Sequence, residues 1–233
     1  MARLISYILY NLYFGSISVL QKHLLKNPKR NPVLLVHGID DTEAVFHKMA
    51  AQLRLQGWSV YSLNLVPNNG DVGLGELANQ VADYVTATFA PEQHLDLVGF
   101  SMGGIVSRYY VQRLGGINRV QRFITIASPH HGTVVAYGSR RPGCVQMRPD
   151  SIFLKDLNSD AVVLGQLDFT SIWTPYDLMI VPANSSQMSV GSEVIVPVTL
   201  HPWMLTDSRS LAVVKAALAE PIKLPFLQKA SSQ

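Results

Sequence analysis

The segment "LDLVGFSMGGIVSRYY" contains the pattern G-x-S-x-G at Gly99, Ser101 and Gly103. A leucine- and valine-rich run leads into it and a helix-forming run leads out, the strand–turn–helix setting that a nucleophile elbow requires. Such a turn strains the serine backbone, so the residues two positions away must be small, and both are glycine. A serine hydroxyl is a weak nucleophile at neutral pH. It needs a base, and the base needs an acid to orient it, in the chain order serine, acid, histidine.

His130, His131 and His201 follow Ser101. His201, in "PVTLHPWML", lies beyond the last strand-like run and before the terminal helix, and is the expected base. His130 and His131, in "SPHHG", come too early in the chain and read as loop-fixing or site-lining residues, His131 being the one able to touch substrate. Asp177, in "WTPYDLMIVP", directly follows the fifth strand-like run and is the expected acid. Asp168 opens that run at its far end and Glu193 opens the next. Asp150, Asp156 and Asp160 fall in an irregular region, where solvation or helix capping accounts for them. A developing oxyanion needs two backbone N–H donors. Met102, after the nucleophile at a helix start, supplies one, and Ile39, after the turn of "VHGID", the other. His37 then holds that loop by hydrogen bonding.

The elements that must position these residues alternate along the chain. "VLLVHG", "SVYSLNL", "HLDLVGF", "VQRFITIASP", "DFTSIWTP" and "SEVIVPV" read as strands. Between them, Thr42–Gln56 carries Val45, Phe46, Met49 and Leu53 at helical spacing and stops at Gly57. A second helix shows Leu77, Val81, Tyr84, Val85 and Thr88 on one face. A third runs through "GGIVSRYYVQRL" to Gly115 and Gly116, and a terminal helix from Asp207, its acidic cap, to about Leu218 buries Leu211, Val214 and Leu218. Between His130 and Leu167 only a short helix around Ile152, Phe153, Leu154 and Leu157 is legible. Alternation of this kind predicts an α/β fold with a mostly parallel sheet of about six strands covered by helices on both faces. Ligands bind such sheets beyond the carboxyl ends of the strands.

The chain has 233 residues, 48% of them hydrophobic and 15% charged, which excludes a disordered chain and suits one catalytic domain over residues 32–233. A net charge of +3, with no basic run beside aromatics, gives no support for nucleic-acid binding. The single cysteine, Cys144, excludes an internal disulfide framework. Residues 1–31 are expected to form an apolar, aromatic helix followed by a basic linker. "LISYILYNLYFGSISVL" is too short and too polar for a spanning helix, and no small-residue cleavage site follows it. Its tyrosines and the basic residues after it fit an interfacial helix, so residues 4–30 are expected to contact a membrane surface; packing on the domain's own core is the other reading. With no cleavable signal peptide evident, the expected location is cytoplasmic and membrane-associated.

The blocks "LVHGI", "LVGFSMGG", "ITIASPHHGT", "YDLMIVP" and the late His201 resemble the bacterial lipase and esterase branch of the α/β-hydrolases, from Pro32 to about Leu218. The resemblance implies a Ser101–Asp177–His201 triad, an oxyanion hole at Ile39 and Met102, and hydrolysis of acylglycerols or other lipid or small esters through an acyl-enzyme. An acyltransferase, a thioesterase or a catalytically silent lipid-binding protein on the same fold are the alternatives. Ile39, Met102, Met179 and Trp203, beside the triad residues, are expected to line the mouth and accept the acyl chain; His131, Met179 and Trp203 are the expected substrate contacts. Larger lipases of this type carry a calcium-binding aspartate soon after the histidine. Here Trp203 stands two residues on, so no metal and no cofactor is expected. The stretch Gly132 to Leu167 is short for a full lid, so a small or absent lid is expected.

Overall fold

Apolar runs bounded by turn residues become the strands of one sheet. The structure, a computed structural model, describes residues 30–222. Its strands are β1 (Val33–Val36), β2 (Val60–Leu63), β3 (Leu95–Phe100), β4 (Val120–Ile126), β5 (Asp168–Trp173) and β6 (Ser192–Ile195). They run parallel in the order β2-β1-β3-β4-β5-β6. Side chains of β1 alternate between two cores: Val33 and Leu35 pack in one, Leu34 and Val36 in the other. That alternation is the period of two of a strand buried on both faces.

Helices α1 (His47–Leu55) and α6 (Ser208–Ala219) cover one face with Met49, Leu53, Leu211, Val214 and Leu218. Helices α2 (Leu74–Thr88) and α3 (Met102–Arg113) cover the other with Leu77, Val81, Val85, Ile105 and Val106. Asp207 caps α6, accepting the Arg209 amide at 2.8 Å. Two expectations shift at element ends. Thr88 is exposed, because the chain leaves α2 there in an extended conformation and Phe89 takes the buried place. The last strand stops at Ile195 rather than running through "VPV", since Pro197 has no N–H to offer a ladder.

Between β4 and β5 the chain forms the 3-10 helix Val134–Gly138, then α4 (Pro142–Gln146), α5 (Ile152–Ser159) and the 3-10 helix Ala161–Gln166. Helix α5 is the short helix expected from Ile152 to Leu157; α4 and the 3-10 helices carry no periodicity from which to read them. Helix α4 is bracketed to the loop before α2. Gly143 N–H donates to Gly70 O at 2.9 Å, Leu74 N–H to Gln146 Oε1 at 2.6 Å, and Arg141 pairs with Asp71 at 3.1 Å. The expected N-terminal helix lies outside the described residues. Among those described, no helix is long and apolar enough to cross a membrane.

Candidate active site

Ser101 stands between β3 and α3 with φ +53° and ψ −125°, a conformation that an L-residue holds only when its surroundings impose it. The imposing contact is close: a Cβ on Gly99 would come 2.5 Å from Gly104 Cα, and one on Gly103 2.3 Å from the carbonyl oxygens of Val36 and His37. Strand, turn and helix can meet at this distance only with glycine at both places.

Asp177 and His201 come from the connections after β5 and β6. Those connections are tied together by Val196 N–H on Trp173 O at 2.8 Å and by the Thr174 hydroxyl on Val198 O at 2.6 Å. His201 Nδ1 lies 2.7 Å from Asp177 Oδ2, and Asp177 Oδ1 accepts the amides of Met179 at 2.8 Å and Ile180 at 2.9 Å. With Nδ1–H given to the carboxylate, Nε2 is left as the proton acceptor. The imidazole packs on the ring of Phe100, centroids 4.8 Å apart, and so sits beside the elbow serine. All three side chains are buried. Among the described residues the Ser101 hydroxyl makes no hydrogen bond, so the serine–histidine link is open; such contacts commonly close only around substrate.

Met102 begins α3, and Ile39 follows β1 on a loop with several ties. Asp40, at φ +57°, donates its N–H to Asn68 O at 2.9 Å, and Asn68 Nδ2 donates to Asp41 O at 2.6 Å. His37 Nε2 accepts the Leu65 amide at 3.0 Å, which leaves Nδ1–H to donate to Gly38 O at 2.8 Å. This histidine is buried and fully used in holding the loop.

One expectation is corrected. The Met102 side chain is fully buried in the core beneath the sheet and does not line the mouth, because the first turn of α3 directs it inward. Ile39 is part-buried, whereas Met179 and Trp203 are about half exposed and His131 is exposed. Thr133 ties the "SPHHGT" loop to the Asp177 loop, donating to Met179 O at 2.8 Å and accepting the Val181 amide at 2.9 Å. His130 is buried with Nε2 3.0 Å from Thr125 Oγ1 and Nδ1 unpartnered. Burial, then the nearby Arg108 and His131, hold its pKa well below the usual histidine range. His131 is held down by burial and Arg108 to a lesser degree.

The rival acids are occupied elsewhere. Glu193 accepts Trp173 Nε1 at 2.6 Å, Asp156 and Asp160 pair with Arg113, and Asp150 with Lys155. The sequence reading missed Asp41, a half-buried carboxyl on the Ile39 loop. Its only sequence signal is its place three residues after Gly38, which does not reveal where the carboxyl points. Among the described residues, no group of three or more His, Cys, Asp or Glu side chains is placed to hold a metal.

A parallel sheet of this order, with its strained serine beyond β3 and its histidine on the last connection, defines an α/β-hydrolase. The solved structures it resembles agree on the fold. A Bacillus licheniformis lipase in its mature form superposes with a TM-score of 0.67 at 16% identity, covering 82% of this chain and 93% of the other. Aspergillus fumigatus lipase B gives 0.69 at 19% identity, covering 83% of this chain and 53% of the other. In sequence, a triacylglycerol lipase of Pseudarthrobacter phenanthrenivorans is 30% identical over 115 residues, 46% of this chain and 35% of that lipase. The chain spans about a third of the length of the curated relatives it matches. The family model of the palmitoyl protein thioesterases matches residues 32–161, and the chain belongs to that family.

Proposed function

We propose that this chain is a serine hydrolase that cleaves carboxylic esters of lipids, acylglycerols or membrane glycerolipids, through an acyl-enzyme on Ser101. The observation that carries the reading is the 2.7 Å Asp177–His201 contact beside a serine in the strained elbow conformation. Ser101 Oγ attacks the acyl carbonyl while His201 Nε2 takes its proton. The oxyanion rests on the amides of Ile39 and Met102, and Asp177 steadies the imidazolium. His201 then protonates the leaving alcohol, and water, deprotonated by the same imidazole, releases the acid. His131, Met179 and Trp203 contact the substrate at the mouth. No step in this scheme requires a metal or cofactor.

A second reading is favoured by one finding, the family match over residues 32–161: the cleaved bond is a thioester. The chemistry is the same up to the leaving atom, sulfur in place of oxygen. In either reading the catalytic domain spans residues 32–233, and the segment before it, apolar over residues 4–20 and basic after them, holds it against a lipid surface from the cytoplasmic side.

The test is hydrolysis of p-nitrophenyl esters from acetyl to palmitoyl beside palmitoyl thioesters, comparing the wild type with Ser101→Ala. Activity lost in the variant supports the reading, and the preferred bond chooses between ester and thioester. No turnover of any of these, with Ser101 also unlabelled by a fluorophosphonate, overturns it.

A further inference from the structure

Gly38 separates two groups by the space of one methyl. A Cβ built on it would lie 3.1 Å from Asp41 Oδ2 and 3.1 Å from Ser101 Cβ, so the Asp41 carboxyl faces the nucleophile across that gap. Its backbone is pinned there by the bond from Asn68 Nδ2 to Asp41 O at 2.6 Å. The carboxyl itself has no hydrogen bond or ion pair among the described residues, unlike Asp177, which is fully engaged with His201 and two amides. The charged or titratable groups facing it are His37, His201 and Asp40. His37 is committed to Gly38 O and the Leu65 amide, which leaves it no proton to give Asp41. Ionised, a carboxyl at this place puts a negative charge beside the nucleophile.

We propose that Asp41 is a specificity-determining residue that sorts leaving groups by charge. Alcohols or thiols bearing a cation or a hydrogen-bond donor near the scissile bond are accepted, and those bearing an anion there are rejected. The inference rests on the acyl-transfer reading above. The departing group takes its proton from His201, whose charge is felt at Asp41, so the charge on Asp41 acts on that group as it leaves. At a separation of roughly 5 Å, with an effective dielectric between that of a protein surface and that of water, one such charge alters a rate by on the order of tenfold, less at high salt. Burial raises the carboxyl pKa, His37 and His201 draw it back, and Asp40 adds to the rise. The sorting is therefore present at alkaline pH and fades as the solution is acidified and the carboxyl takes up its proton.

The test compares kcat/KM at pH 8 and low salt for butyrylcholine, its neutral carbon isostere 3,3-dimethylbutyl butyrate, and O-butyryl glycolate. The quantity read is the cation-to-anion ratio, which cancels any general change in activity. The wild type is expected to favour choline over glycolate. Asp41→Asn should compress that ratio by about tenfold or more, because attraction of the cation and repulsion of the anion both enter it; Asp41→Glu should restore part of it, and 0.5 M salt should compress it in the wild type without any substitution. A ratio unchanged within twofold in Asp41→Asn, or a wild-type ratio insensitive to salt, overturns the assignment while the hydrolase reading stands. A wild-type chain that turns over none of the three, with Ser101 unlabelled by a fluorophosphonate, overturns both.

Discussion

Asp177 divides its two oxygens: Oδ2 meets His201 Nδ1 at 2.7 Å while Oδ1 takes the amides of Met179 and Ile180. The division fixes how a substitute amide would sit. In Asp177→Asn the side-chain oxygen must stay on the two backbone donors, so the NH2 group turns toward His201. Nδ1 then becomes the acceptor and Nε2 carries the hydrogen, the wrong tautomer for a base. The expected result is a fall in kcat of about 10³–10⁴-fold with a folded loop. Steady-state kinetics beside the melting curve check it; loss of fold together with activity would contradict the argument.

Helix α3 packs against the end of β4 at Gly104. A Cβ there would lie 1.9 Å from Ser128 Oγ and 2.7 Å from Ser128 Cβ, with Thr125 Cγ2 next at 3.3 Å. Gly104→Ala is therefore expected to cost roughly 1–3 kcal/mol, as overpacking does. Ser128→Gly removes both close atoms, so the double variant should be more stable than the sum of the two single losses predicts, by about 1 kcal/mol or more. Urea denaturation of the four proteins of the cycle measures this, and strict additivity would refute the contact.

His130 sets a pH dependence of stability. Its folded pKa is depressed by burial and by Arg108, whereas the unfolded chain titrates near the ordinary 6.5. Above that pH both states hold a neutral imidazole and stability is flat in this group. Below it only the unfolded chain binds the proton, so stability falls by up to about 1.4 kcal/mol per pH unit until the folded state protonates as well. In His130→Asn this part of the slope should disappear between pH 6.5 and 5, read from melting or urea midpoints. An unchanged slope would assign the acid sensitivity elsewhere.

Arg108 is a fully buried guanidinium whose donors reach Gln112 Oε1, Asn158 Oδ1 and Leu157 O, each at 2.7 Å. Burial lowers its pKa to about 9, which leaves it a cation at neutral pH. Arg108→Ala leaves a cavity and unmet acceptors on Gln112 and Asn158, while Leu157 O keeps the Gln112 Nε2 donor, and should destabilise by roughly 3–5 kcal/mol. Arg108→Met keeps the volume and sheds the buried charge, so its cost should be clearly smaller. Equal losses in the two would show that the hydrogen bonds, rather than volume, dominate.

All six strands and the placement of Ser101, Asp177 and His201 were legible in the sequence because each rests on a local signal: an apolar run, a glycine pair, a position just past a strand. What was not legible depends on contacts between distant segments. Met102 was expected at the mouth because it follows the nucleophile, but the helix start turns its side chain into the core. Arg108 looks like a solvent-facing helical charge until Leu157 and Asn158 close over it. Asp41 meets the nucleophile only across the missing side chain of Gly38. Helix α4 spans five residues, too few to show a period, and stands because it is bracketed to the loop at Gly70 and Leu74.

The strand order has a consequence for self-association. Both margins of the sheet are four-residue strands, Val60–Leu63 and Ser192–Ile195. The second is introduced by Gly191 at φ +78° and carries Glu193, whose carboxylate is held by Trp173 and Gln187. A foreign strand seeking to extend the sheet finds only a short ladder at either side and a charge on one of them. Growth of the sheet into fibrils is thereby opposed at both edges of a core that is otherwise rich in valine, leucine and isoleucine.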